Sequence, residues 1–200
     1  MIAIVDYGMG NLRSVQKALE KVGADARITF NSNDIVQADK VVLPGVGAMA
    51  PAMAKLRQLG LTETIREVIA KGKPFLGICL GLQLLFEKSA EGGNVEGLKV
   101  LKGTVERFTK GKVPHMGWNQ IKVHPVGQSM YKGIADGANV YFCHSYYVVP
   151  KDLKMTASVT QYGIPYVSSV VSKNIWGVQF HPEKSQTVGL QILKNFAELK

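Results

Sequence analysis

Cysteine is scarce in this 200-residue chain: only Cys79 and Cys143 occur, too few for a disulfide framework. A reducing, cytoplasmic setting is therefore expected. No apolar run reaches the roughly 18 residues that a membrane span needs. The first ten residues, MIAIVDYGMG, carry no basic leader and reach an acidic residue by Asp6, so no secretory signal is expected either. Low-complexity tracts, long Pro/Ser linkers and internal repeats are also missing. The formal charge of +9 comes without a helix-turn-helix, zinc-finger or RNP-like pattern. Nucleic acid is thus its weakest explanation, behind an acidic protein partner or a solvated lysine surface.

What is present suits one α/β domain spanning residues 1–200, with 46% hydrophobic residues to fill a core. In the first half, short β-rich runs alternate with helical patterns. MIAIVD, DARITF, KVVLPG and PFLGI read as strands. NLRSVQKALEKVG reads as a helix with Leu12, Val15, Leu19 and Val22 on one face and Gly23 as its stop. Two more helices are expected at roughly 48–58 and 62–70. This alternation implies parallel βαβ units, with ligands collecting at the carboxyl ends of the strands. After Gly92 the strand signals TVERF, NQIKV, NVYFCHSYYVV, MTASVTQY, PYVSSVVS and IWGVQF predict antiparallel additions, and TVGLQILKNFAEL predicts a closing helix. The expected fold is a mixed, largely parallel central sheet flanked by helices, with additional antiparallel strands.

One strand signal runs straight into Gly77-Ile78-Cys79-Leu80-Gly81. A strand, a nucleophile between two glycines and then a helix make a nucleophile elbow, whose neighbours must be small where strand and helix approach. The partial positive charge of a helix N-terminus favours a thiolate. A buried core cysteine is the competing reading, and the glycines alone leave the two evenly matched. A nearby base decides between them. Of the four histidines, His144 follows Cys143 along a strand, so those two side chains should diverge. His124 precedes a proline in a loop. His181 instead ends a strand and is followed by Pro182 and Glu183. In an extended segment Glu183 would face the same side as His181 and could accept a hydrogen bond from one ring nitrogen. Cys79, His181 and Glu183 are the catalytic candidates. Gly45, Val46 and Gly47, with the backbone N–H of Leu80, are the candidates for an oxyanion hole.

Gly77–Gly81, His181-Pro182-Glu183 and Pro44–Gly47 together resemble the elbow, base–acid and oxyanion segments of the triad-type (class I) glutamine amidotransferases, in the same chain order. DYGMGNLRSV, LPGVGA, GICLGLQLLFE, KVPHMGWN, HSYY and GVQFHPEKS narrow the resemblance to the glutaminase subunits of imidazole glycerol phosphate synthases, which serve histidine biosynthesis. The resemblance covers essentially the whole chain and implies glutamine hydrolysis through a thioester on Cys79. It implies that Gln83 and the backbone of His144, Ser145 and Tyr146 hold the substrate, with no metal and no other cofactor. It also implies a partner, a (β/α)8-barrel cyclase, with Asn11, Trp118, Tyr141 and Lys184 on the docking face. A physical argument points the same way. Ammonia released into neutral water is largely protonated, and this chain has no phosphate loop or second domain to hold an acceptor. Glutaminases serving another acceptor, a cysteine hydrolase of similar fold and a non-catalytic binding module are the alternatives.

Overall fold

The central strands of the first half are apolar at nearly every position because both of their faces are covered, while the edge strand, Ala26–Thr29, is partly exposed. In the computed structural model, which describes residues 1–199, these are β1 (Ile2–Val5), β2 (Ala26–Thr29), β3 (Lys40–Gly45) and β4 (Phe75–Cys79). The interspersed helices are α1 (Leu12–Lys21), α2 (Ser32–Gln37), α3 (Met49–Gln58), α4 (Leu61–Ala70) and the short α5 (Leu80–Leu84). All five residues of β4 are buried, and so are all four of β1. Side chains alternate between two cores. Ala3, Val5, Val41, Leu43 and Phe75 face the core shared with α3 and α4. Ile2, Ile4, Val42, Leu76 and Ile78 face the core shared with α1 and the last helix, α6 (Gln186–Ala197). The result is a three-layer α/β/α sandwich.

The second half adds β5 (Lys88–Ser89), β6 (Val95–Glu96), β7 (Gly103–Arg107), β8 (His115–Gln120), β9 (Lys122–Val123), β10 (Asn139–His144), β11 (Tyr146–Pro150), β12 (Thr156–Tyr162), β13 (Ile164–Ser172) and β14 (Ile175–Val178). The main path of the twelve-stranded sheet runs β2-β1-β3-β4-β14-β13-β11-β7-β5-β6. Pairing is parallel from β2 across to β14 and antiparallel from β14 through β13 and β11 to β7. The mixed sheet with its antiparallel extension is as expected. Among the described residues no helix is long and apolar enough to cross a membrane.

One helix is additional to the expected elements, and two local expectations change. NSNDIVQ, which carries no strong helical signal, forms α2 because the Asn31 side chain accepts from the backbone N–H of Asn33 at 2.8 Å and of Asp34 at 3.3 Å while Ile35 is buried. NVYFCHSYYVV is not one strand. It breaks at Ser145, so that β10 pairs with β8 in a separate two-stranded ribbon and β11 joins the main sheet. IWGVQF stops pairing at Val178, which leaves Gln179, Phe180 and His181 beyond the sheet edge.

Candidate active site

The turn at the end of β4 is as sharp as its glycines suggest. Cys79 has φ 54° and ψ −109°, a conformation that costs a β-carbon-bearing residue on the order of 1–3 kcal/mol. Leu80 begins α5 at once. A β-carbon on Gly77 would lie 2.9 Å from the Gly81 carbonyl oxygen and the Leu82 nitrogen, and one on Gly81 would overlap the carbonyl oxygen of Leu43. The glycines are therefore required by backbone approaching backbone, which a core cysteine would not need.

The base arrives through sheet register. β14 is parallel to β4 with Val178 opposite Ile78, so the chain leaving β14 emerges beside Cys79. His181 is pinned there by its N–H, which donates to the Tyr141 carbonyl at 2.9 Å, and by its own carbonyl, which accepts from the Ser185 hydroxyl at 2.7 Å. His181 is extended, but Pro182–Lys184 forms a single 3-10 turn rather than the extended segment expected. That turn still brings Glu183 Oε1 to 2.8 Å from His181 Nδ1, with both side chains buried. The other carboxylate oxygen of Glu183 is buried without a hydrogen-bond partner. Burial works against the His181 cation, yet hydrogen bonds to Cys79 and Glu183 and the negative charge on each outweigh it, and its pKa is pushed up to about 10. At neutral pH these neighbours favour the protonated form of His181.

Cys79 and His181 open onto a cavity of about 300 Å³. Val46, Gly47 and Leu80 border it, and Gly47 takes the left-handed φ of 92°. Gly45 stands opposite Cys79 in the ladder but does not border the cavity, being packed against the Tyr7 hydroxyl and Leu80. Tyr7 Oη in turn donates to the Pro44 carbonyl at 3.0 Å. Gln83, His144, Ser145 and Tyr146 also border the cavity. One carbonyl organises this side. Tyr146 O accepts from Gln83 Nε2 at 2.9 Å and from His144 Nδ1 at 2.8 Å. His144 Nε2 is then an acceptor, in a buried cluster with His115 Nδ1 at 3.3 Å and Tyr166 Oη at 3.3 Å. Burial holds the pKa of His144 down to about 3 and that of His115 to about 4.

Trp118, Tyr141 and Lys184 come together. Trp118 and Tyr141 are cross-strand neighbours with ring centroids 6.0 Å apart, and Lys184 Nζ lies 5.8 Å from the Tyr141 ring. Trp118 is 48% exposed, and Met116, on the same strand, is 61% exposed. Asn11 is exposed just before α1 and accepts from the Ser14 hydroxyl, and Ser14 shares a surface cleft with Lys184. Sequence reasoning missed three residues at the site. Glu91 borders the cavity and its Oε2 accepts from the N–H of Met49 at 2.7 Å. Cys143 borders it too, with its carbonyl oxygen 4.0 Å from Cys79 Sγ. Gln179 is buried against Cys79. Glu91 and Gln179 carry no mark in the sequence, and Cys143 is marked only by the scarcity of its residue type. Among the described residues no group of three or more potential metal ligands occurs.

Comparison with known proteins fits this geometry. Residues 3–199 match the family model described as glutamine amidotransferase class-I. The chain is 54% identical over 199 residues to "imidazole glycerol phosphate synthase subunit HisH" of Moorella thermoacetica, covering 99% of this chain and 94% of the relative. It is 51% identical over 207 residues to the protein of the same name from Geobacter sulfurreducens, covering 100% and 99%. Among solved structures, one described as glutamine amidotransferase superposes with a TM-score of 0.74 at 18% identity, covering all of both chains. PurLQS from Thermotoga maritima gives 0.71 at 19% identity, covering 98% of this chain and 94% of that one. At these identities the two structures speak to the fold.

Two outcomes are expected from the site's construction. Gly81→Ala must displace β3 or the elbow, so its denaturant midpoint should fall by the equivalent of about 1–3 kcal/mol or more. A variant as stable as the parent would show that the close approach is relaxed in solution. The second outcome concerns acid. Below the ordinary histidine value of 6.5 the unfolded chain protonates positions 115 and 144, while the folded chain keeps both neutral down to about pH 4 and 3. The unfolded state then binds more protons, so this contribution to stability is complete above pH 6.5 and is lost as pH falls through that window. Melting temperatures from pH 7 to 4 should decline less steeply in His144→Gln than in the parent. Parallel curves would contradict the assignment.

Proposed function

The chain belongs to the class-I glutamine amidotransferase family, and on that premise we infer that it hydrolyses glutamine to glutamate and ammonia with Cys79 as nucleophile. The supporting observation is a cysteine on a strained elbow, open to a small cavity, beside a buried histidine held as a cation by a buried carboxylate. The Cys79 sulfur attacks the side-chain amide carbon of glutamine, and the carbonyl electrons move onto oxygen. Backbone N–H groups of Leu80 and of the Val46–Gly47 segment are the donors for that oxyanion. As the C–N bond breaks, His181 gives its proton to the departing nitrogen, leaving a thioester and ammonia. His181, now neutral, takes a proton from water as it attacks the thioester, and glutamate leaves with Cys79 restored. The backbone of Ser145 and Tyr146 suits the α-carboxylate. The Glu91 carboxylate and the free Gln83 carbonyl oxygen suit the α-ammonium.

The curated relatives are named as subunits of imidazole glycerol phosphate synthase, and this chain is read as the glutaminase subunit of such a synthase, working in the cytoplasm for histidine biosynthesis. Its partner is read as the (β/α)8-barrel cyclase subunit of the synthase. The exposed apolar pair Met116 and Trp118, with Tyr141 and Lys184 beside the cavity wall, is the surface best suited to receive it, and Asn11 lies at its margin. Docking there lets ammonia pass from the thioester to the acceptor before it meets water and a proton.

Cys79→Ala should abolish glutamine hydrolysis, measured as glutamate release, while the assembled synthase still uses added ammonia. Loss of ammonia-dependent turnover in an intact complex would refute this division of labour. The Pro44–Gly47 segment supplies a place for control, since Gly47 already adopts a backbone conformation that few residues tolerate. A rotated peptide there would present a carbonyl where an N–H is needed, at a cost of roughly 100- to 1,000-fold in rate. Glutaminase rates are therefore expected to rise from chain alone, to complex, to complex with an acceptor analogue. Equal rates in all three would remove the switch.

A further inference from the structure

Gln179 lies one residue beyond β14, completely buried, with its backbone N–H donating to Ser168 O at 2.9 Å. Its side chain sits between two partners: Nε2 lies 3.6 Å from Cys79 Sγ and Oε1 lies 3.0 Å from Gln83 Nε2. An amide can be placed either way round, but here the choice is forced from a distance. Tyr146 O can only accept, so the Gln83 atom facing it at 2.9 Å is the nitrogen. That same nitrogen faces Gln179, so the Gln179 atom opposite it must be the acceptor oxygen. The Gln179 nitrogen is then left to point at the sulfur. A backbone carbonyl thus dictates, through two amides, that a hydrogen-bond donor faces Cys79.

We infer that Gln179 is the donor that holds the Cys79 sulfur in its reactive form and direction, and that Gln83 fixes which way round Gln179 sits. This rests on the reading of Cys79 as the nucleophile. His181 is the other proton-bearing group beside the sulfur, but in the proposed mechanism it must give up its proton when ammonia leaves. Gln179 has no proton to surrender at neutral pH, so it continues to face the sulfur after His181 has become neutral. It also lies on the side of the cysteine that adjoins the substrate wall. Gln83 and the Ser145–Tyr146 backbone border the cavity, so the group that orients Gln179 is one the substrate touches. The order of contact is substrate, Gln83, Gln179, sulfur.

Gln179→Met keeps the length and removes the donor. The readout is alkylation of Cys79 by iodoacetamide across pH in the full chain, with the Cys79 and Cys143 peptides quantified separately by mass spectrometry. A hydrogen bond to a charged group is worth roughly a 10- to 100-fold preference, so the pH midpoint should rise by about one unit or more. In the assembled synthase, glutaminase kcat should fall roughly 10- to 100-fold at neutral pH with KM nearly unchanged, and recover partly at higher pH. Gln83→Leu should raise KM and also move the alkylation midpoint upward without glutamine present, although Gln83 does not touch the sulfur. Should Gln179→Met fail to fold, Gln179→Glu retains the acceptor for Gln83 and should raise the midpoint at least as far.

A folded Gln179 variant whose alkylation profile superimposes on the parent's would overturn the assignment of Gln179. If Gln83→Leu changed KM alone, the orienting role of Gln83 would be overturned. The premise fails separately, since glutaminase activity surviving in Cys79→Ala would remove Cys79 as nucleophile whatever the alkylation profiles show.

Discussion

The site depends on one steric constraint, the turn that β4 must make at Cys79. A left-handed residue at a strand end, followed at once by a helix, folds the chain back against its own strand and against β3. The Leu43 carbonyl occupies the space where a side chain at position 81 would stand, and the start of α5 occupies the space beside position 77. Once that turn is fixed, register carries the rest. The Gly45 end of β3 is opposite Cys79, and Val178 of β14 is opposite Ile78. The segments bearing the oxyanion candidates and His181 are therefore delivered to the same edge by ordinary parallel pairing, as open α/β sheets do at the carboxyl ends of their strands.

The three buried histidines show how environment divides one residue type between two uses. Burial opposes the charged form of each. His144 and His115 have only neutral neighbours in hydrogen-bond reach, Tyr166 and the Tyr146 carbonyl among them, and they stay neutral well below the usual range. His181 is almost as secluded but lies beside Cys79 and Glu183, and these two neighbours raise its pKa in spite of burial. The unpaired oxygen of Glu183 fits this account, because an uncompensated buried carboxylate is costly and the His181 cation is what offsets it. The neutral pair shapes a wall of the cavity through His144, and the charged one stands beside the cysteine of the elbow.

Much of this was legible in the sequence wherever the chain leaves a local mark. Glycines at positions 77 and 81 record a close backbone approach, Pro182 records a fixed geometry after His181, and alternation of strands and helices records the parallel half of the sheet. Other features left no such mark. The break at Ser145 is invisible because β10 and β11 share one β-rich composition, and only tertiary pairing separates ribbon from sheet. The helix α2 depends on an asparagine cap and a single buried residue, Ile35, in a short stretch where the sequence reading places no helix. Glu91, Cys143 and Gln179 gain their positions from elements distant in the chain. Glu183 meets His181 as expected, but through a 3-10 turn that the spacing alone did not favour over an extended arm.

The Tyr146 carbonyl has an evolutionary consequence. It sets the tautomer of His144 and the orientation of Gln83, yet it belongs to the main chain, so no point substitution at position 146 deletes it. A substitution of the half-buried side chain there changes its packing but leaves the orienting group in place. The same arrangement is brittle to a change of length. One residue inserted or removed in the loop between β10 and β11 would turn that carbonyl away, and both amides and the imidazole would lose their bearing together. Tolerance to substitution and intolerance to insertions or deletions should therefore coincide at this short junction.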